Sequence, residues 1–174
     1  MTWERILKNC RKYDCYPTIE TFFSTCPPLI RNYLTLQTIP AGQLLIQAGA
    51  PCGTVYILVS GRLQAIEEKA GEIPYSFFDL SPFDIVGDYE LFSEDAESYV
   101  TVRAWEPSAC LTIPPGFYLQ WLSTDSTALF FRTRLLMKKL SLQLNSSRRY
   151  LLMSYGQRCM YVISQEAGKV TPVN

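Results

Sequence analysis

Between positions 36 and 113 the apolar residues come in short alternating runs, each cut by a turn. Alternation of this kind marks strands, whose side chains point to opposite faces in turn. Eight strands are predicted, over 36–39, 43–47, 55–60, 63–68, 75–80, 85–86, 99–105 and 109–113. Pro40-Ala41-Gly42, Gly49-Ala50-Pro51, Ser60-Gly61 and Ala70-Gly71-Glu72 supply the turn chemistry between them. Strands at this cadence predict a barrel or jelly roll. On either side the apolar period lengthens to three and four. Trp3, Ile6, Leu7 and Cys10 mark an amphipathic helix over 2–13, and a second short helix follows over 18–23. Pro27-Pro28 opens a third, with Leu29, Ile30, Tyr33 and Leu34 expected on its buried face.

The C-terminal part is helical again. Ser123-Thr124-Asp125 offers caps for a long helix from about 127 to 149, and a further helical stretch over 151–163 ends near Gly168, before Pro172. Phe130, Met137, Leu144 and Leu151 recur every seven residues, with Leu140 at the intervening seam position. Thr133, Ser147 and Ser154 hold the other seam sites, so the heptad is partial. Such a seam must be covered, either by the barrel or by its own copy in a symmetric dimer. The second is the expectation, because the chain offers no partner helix of similar length.

Composition narrows the function more than the fold. Hydrophobic residues at 48% over 174 positions are enough for a sizeable core and argue against disorder. Sixteen basic and sixteen acidic residues cancel, so the overall charge advertises neither nucleic acid nor an anionic membrane. Without a membrane-length apolar run or a signal-peptide core, a cytoplasmic location and no membrane partner are expected. The chain has no histidine. This excludes His-ligated zinc or haem, the metal cluster of the cupins and every Ser-His or Cys-His pair, so no enzyme is expected. Cys10, Cys15, Cys26, Cys52, Cys110 and Cys159 are scattered, which suits reduced thiols better than a disulfide framework.

One stretch carries candidate chemistry. From Phe83 to Ala104 a turn containing Gly87 leads through a short apolar run and an acidic loop into a strand. Ser98 shares the inward parity of Val100, Val102 and Ala104, while Tyr99, Thr101 and Arg103 take the outward one. A glycine turn and a small polar residue entering a barrel from opposite sides make a small-ligand pocket. The arrangement resembles the phosphate-binding cassette of the cyclic nucleotide-binding domain, as used in CRP/FNR-type transcription regulators. Two further sections support the resemblance. Residues 48–63 look like that family's glycine turn and "YxIxxG" strand pair, and 134–144 (RLLMKKLSLQL) look like its dimerisation helix. The resemblance implies a mainly β fold with α: a double-stranded β-helix (jelly-roll barrel) flanked by N-terminal helices and followed by a long dimerisation helix. Residues 1–124 would form the roll domain and 125–174 the dimerisation helix and hinge. It also implies a homodimer that meets DNA only through a helix-turn-helix domain absent from this chain. The sequence stops at 169–174 about where that domain would begin, as expected of a piece of a longer regulator.

The resemblance further implies a ligand site at Gly87, Asp88, Tyr89, Glu90, Leu91, Ser98, Tyr99 and Gln143. In the family the turn reads Gly-Glu-Leu, and an arginine followed by a small residue faces it. Amides and guanidinium clamp the cyclic phosphate, and the carboxylate accepts the ribose hydroxyl. Here Gly87 matches, Asp88 replaces the glutamate, and Tyr89 and Glu90 replace an apolar and a small residue. Ser98 stands at the arginine position, with Tyr99 after it. Gln143 and Leu144 fall near the positions that meet the purine. Losing a charged hydrogen bond costs about 1.5–3 kcal/mol, so weak or absent cyclic AMP binding is expected. No resident cofactor is expected either. A neutral polar or cationic effector would suit Asp88, Glu90, Ser98 and Tyr99, unless the rings of Tyr89 and Tyr99 fill the cavity. Two other readings stand beside this one: a ligand-free structural dimerisation domain, and an iron–sulfur or thiol redox sensor of FNR type using Cys10, Cys15, Cys26 and Cys110. Against the last, the N-terminal cysteines are spaced more widely than cluster motifs, and Cys110 is one position off the family's roll cysteine.

Overall fold

The computed structural model describes residues 2–67, 75–93 and 97–167. Position 68, the expected 70–72 turn and the segment from Gly168 lie outside the described residues. Three helices come first: α1 (Trp3–Cys10), α2 (Tyr16–Phe22) and α3 (Pro28–Arg31). Eight strands follow: β1 (Thr35–Ile39), β2 (Leu44–Ile46), β3 (Val55–Ser60), β4 (Leu63–Glu67), β5 (Tyr75–Leu80), β6 (Ile85–Val86), β7 (Thr101–Ala104) and β8 (Ser108–Ile113). A one-turn helix, α4 (Tyr89–Phe92), separates β6 from β7, and α5 (Pro115–Thr124), α6 (Ser126–Leu152) and α7 (Tyr155–Ala167) complete the chain.

The strands form two antiparallel four-stranded sheets, ordered β1-β8-β3-β6 and β2-β7-β4-β5. Their facing sides pack Ile39, Ile46, Leu58, Leu63, Ala65, Leu80, Val102, Ala104 and Cys110 into one buried core. This is the predicted mainly β jelly roll with a long helix after it. Gly61 shows why the turns carry glycine. Its φ is +86°, and a Cβ there would lie 2.7 Å from the Pro107 carbonyl oxygen.

A second, aromatic cluster joins the N-terminal helices to α5. The Trp121 ring stacks on Phe23 at 5.1 Å and lies 4.9 Å from Phe22, which meets Phe83 edge-on at 5.8 Å. Tyr118 and Trp121, one helical turn apart, are both fully buried. α3 corrects one expectation. Ile30 and Leu34 are buried, but Leu29 is 64% exposed and Tyr33 is also exposed, its ring stacked on Phe117 at 3.5 Å. A helix of four residues turns barely once, so it has a buried side too narrow for both members of an adjacent pair.

Asp125 starts α6. Its Oδ1 accepts from the Thr127 and Ala128 amides at 3.0 and 3.1 Å, and its Oδ2 from the Trp121 indole at 3.0 Å. Burial alone would raise this carboxyl. The bonds from Thr25, Ala128, Trp121 and Thr127 outweigh it and hold the group below its usual range. α7 opens with a reciprocal cap: the Ser154 amide donates to Gln157 Oε1 at 2.9 Å and the Gln157 amide to Ser154 Oγ at 3.4 Å.

The chain divides into two compact units, Met1–Leu129 and Phe130–Asn174. In the second, the seam residues Phe130, Met137, Leu140, Leu144 and Leu151 are 46–69% exposed. Among the described residues, no helix is long and apolar enough to cross a membrane.

Candidate ligand-binding site

The turn at Gly87 is shaped by what surrounds it. Gly87 has φ +82°, and a Cβ would lie 2.5 Å from the Thr54 carbonyl oxygen and 2.6 Å from Cys52 Sγ. Only glycine meets both conditions. The facing wall is fixed by the loop at 48–51. The Gly49 amide donates to the Ser98 carbonyl at 2.8 Å, the Ser98 amide to the Ala50 carbonyl at 3.2 Å, and Pro51 bridges Glu97. The Ala48 amide donates to Thr101 Oγ1 at 3.2 Å. That bond explains a departure from simple alternation. Thr101 shares the outward parity of Tyr99 yet is 4% exposed, because the loop recruits its hydroxyl and β7 begins only at this residue.

The expected site residues take distinct positions. Ser98 is buried, and its hydroxyl donates to the Val100 carbonyl at 3.0 Å. Asp88 is 3% exposed, and its Oδ2 accepts from the buried Tyr118 hydroxyl of α5 at 3.1 Å. Leu91 is half-buried on α4. Tyr89 and Tyr99 lie at the surface. Both are about 60% exposed, and their rings meet edge-to-face at 5.8 Å. Gln143 lies exposed on α6, in the other unit.

Glu90 is the outlier. Its Oε2 is fully buried and has no hydrogen-bond partner. Leaving such an oxygen without a donor costs about 1–3 kcal/mol, more for a charged group. The nearby Cys52 thiol cannot supply a donor, because it already donates to the Thr54 carbonyl at 3.0 Å. Cys52 also reports the local field: burial raises its pKa, and the Glu90 and Asp88 carboxylates push it further in the same direction. The turn is therefore acidic where a phosphate clamp would be basic. Arg103 is the sole basic residue of the whole stretch 83–104.

Four other cysteines pack as small apolar groups, while Cys159 is exposed. Cys10, Cys15, Cys26 and Cys110 are buried, and burial pushes Cys10 and Cys26 up to about 11 and Cys110 up to about 12. Cys15 donates to the Val59 carbonyl at 3.1 Å. Among the described residues, no group of three or more Cys, Asp or Glu side chains is placed to hold a metal ion.

The sequence profile of the cyclic nucleotide-binding domain matches residues 36–125, from β1 through the turn to the end of α5. The chain belongs to the cyclic nucleotide-binding domain family. CRP/FNR-type transcription regulators are among the structural neighbours of this cyclic nucleotide-binding domain. The cyclic-di-GMP-responsive global regulator CLP of Xanthomonas campestris matches with TM-score 0.65 at 21% identity, over 85% of this chain and 70% of that one. A putative regulator of the crp/fnr family from Eubacterium rectale gives 0.65 at 17%, over 80% and 65%. The sensor domain of the regulator DNR from Pseudomonas aeruginosa gives 0.61 at 15%, over 83% and 95%. At these identities the likeness is one of fold. Among curated proteins none matches the chain.

Proposed function

We propose that this chain is the effector-sensing and dimerisation domain of a CRP/FNR-type transcription regulator, a binding module rather than an enzyme. Its effector is a small molecule other than cyclic AMP. One observation carries the ligand half of the reading. The two side-chain positions that the family uses to clamp a cyclic nucleotide are both otherwise engaged here. Position 98 offers a hydroxyl donated to Val100 in place of a guanidinium, and the Asp88 carboxylate is held by Tyr118. A phosphate would meet the Glu90 oxygen instead, without a cation in the turn to offset the repulsion. The exposed seam on α6 supports a homodimer, and DNA contact would belong to a helix-turn-helix segment of a longer cytoplasmic protein.

Titration calorimetry with cyclic AMP, cyclic GMP and cyclic di-GMP tests the ligand. Cyclic AMP and cyclic GMP are expected to give no binding heat below millimolar concentration, and micromolar affinity for either would overturn the reading. Cyclic di-GMP, named by the Xanthomonas neighbour, is the informative comparison, and the acidic turn predicts that it too fails. Sedimentation of the same samples should show a dimer that Leu144→Glu converts to a monomer. A monomer at the outset would remove the dimerisation half.

A further inference from the structure

Resting on the effector reading above, we propose that the cassette of this chain is a site for a small organic cation: an ammonium, amidinium or guanidinium group on an apolar or aromatic body. Glu90, rather than Asp88, is its anchor. Three observations converge on this class. The Glu90 Oε2 atom is buried and lacks a donor, so the turn contains an acceptor that the fold itself leaves unsatisfied. The carboxylate lies within electrostatic reach of Cys52, a half-buried thiol packed against the core of the roll. Next to Glu90 in the chain, Tyr89 forms an exposed edge-to-face pair with Tyr99.

The chain order builds this arrangement twice. On the turn side the half-buried Glu90 follows the exposed Tyr89, and on the facing wall the buried Ser98 precedes the exposed Tyr99. A floor of buried polar atoms is thus flanked by an exposed aromatic ring on each wall. An N–H donor on the ligand would reach the floor and pair with Glu90, forming a charge-assisted bond. Its body would lie against the exposed ring faces, which attract cations and apolar groups alike. Ser98 still has lone pairs after donating to Val100, so it can accept a second N–H. An anion finds no basic side chain in the turn, and the Asp88 carboxylate accepts from Tyr118.

The test uses three probes that share a body and differ in charge: 2-phenylethylamine, 2-phenylethanol and phenylacetate, each titrated into the full chain at neutral pH. Amide NMR shifts at residues 87–91 and 98–101 report the site. The amine is expected to shift these resonances at millimolar concentration, the alcohol weakly and the acid not at all. Glu90→Gln should weaken the amine about tenfold or more. The same variant should raise the melting temperature of the unliganded protein, because it removes the charge from a carboxylate whose buried oxygen lacks a donor. Opposite signs on binding and stability mark a residue kept for a ligand, and a structural carboxylate would lose both. Phenylacetate binding more tightly than the amine would overturn the cation class while leaving an effector site in place. No shift from any probe, or a Glu90→Gln protein that melts lower, would overturn the proposal outright. Micromolar cyclic AMP binding would instead overturn the reading beneath it.

Discussion

Gly87→Ala is expected to destabilise the roll by about 2–5 kcal/mol, the sum of about 1–2 for a side chain in the left-handed region and about 1–3 for overpacking. The space fixes the sign. A Cβ would sit 2.5 Å from a backbone carbonyl of Thr54, and that oxygen cannot swing aside as a side-chain end could. Urea unfolding measures the loss, and Gly116→Ala is the control. Gly116 lies within α5, and a Cβ there meets nothing within 4 Å. That substitution should be neutral or stabilise by about 0.4–1 kcal/mol. Equal losses at the two positions would show that the turn imposes no special demand.

Trp121→Ala is expected to cost about 3–5 kcal/mol, as for other buried aromatic truncations. The ring is fully buried against Phe22, Phe23 and Tyr118, and its removal also takes the indole donor from Asp125. Trp121→Phe should recover most of the packing but not the hydrogen bond, leaving a deficit of about 0.5–1.5 kcal/mol. Thermal unfolding of both variants separates the two contributions. A Trp121→Ala protein within about 1 kcal/mol of the parent would mean that the aromatic cluster contributes little beyond shape.

Much of the roll was legible in the sequence. All eight strands lie where alternation and turn residues put them, with Val55–Ser60 and Tyr75–Leu80 matching at both ends. Strands cut by Gly and Pro announce their own limits. α5 does not. Its sequence, PGFYLQWLST, is apolar at Phe117, Tyr118, Leu119, Trp121 and Leu122, so it lacks the broad polar face that makes a helical period visible. α4 spans only four residues, too short for any period. The same blind spot affects the site. Gly87 is readable because a φ of +82° selects one residue type. The inward pull on Asp88 comes from Tyr118 on α5, so no inspection of 83–104 alone finds it. Glu90 reads as a mismatch in sequence, and only the geometry turns that mismatch into an unsatisfied acceptor.

The bond between Asp88 and Tyr118 has a mechanical meaning for α5. Tyr118 is tied to the glycine turn, and Trp121, one turn further along the same helix, is tied to the carboxylate that caps α6. A ligand that displaces the turn must either break the Tyr118 bond or drag α5 with it. In the second case the pull arrives at Asp125, on the first amides of α6. α5 then works as a short connecting rod, and the stiffness of its two hydrogen-bonded joints sets how much of a displacement at one end reaches the other.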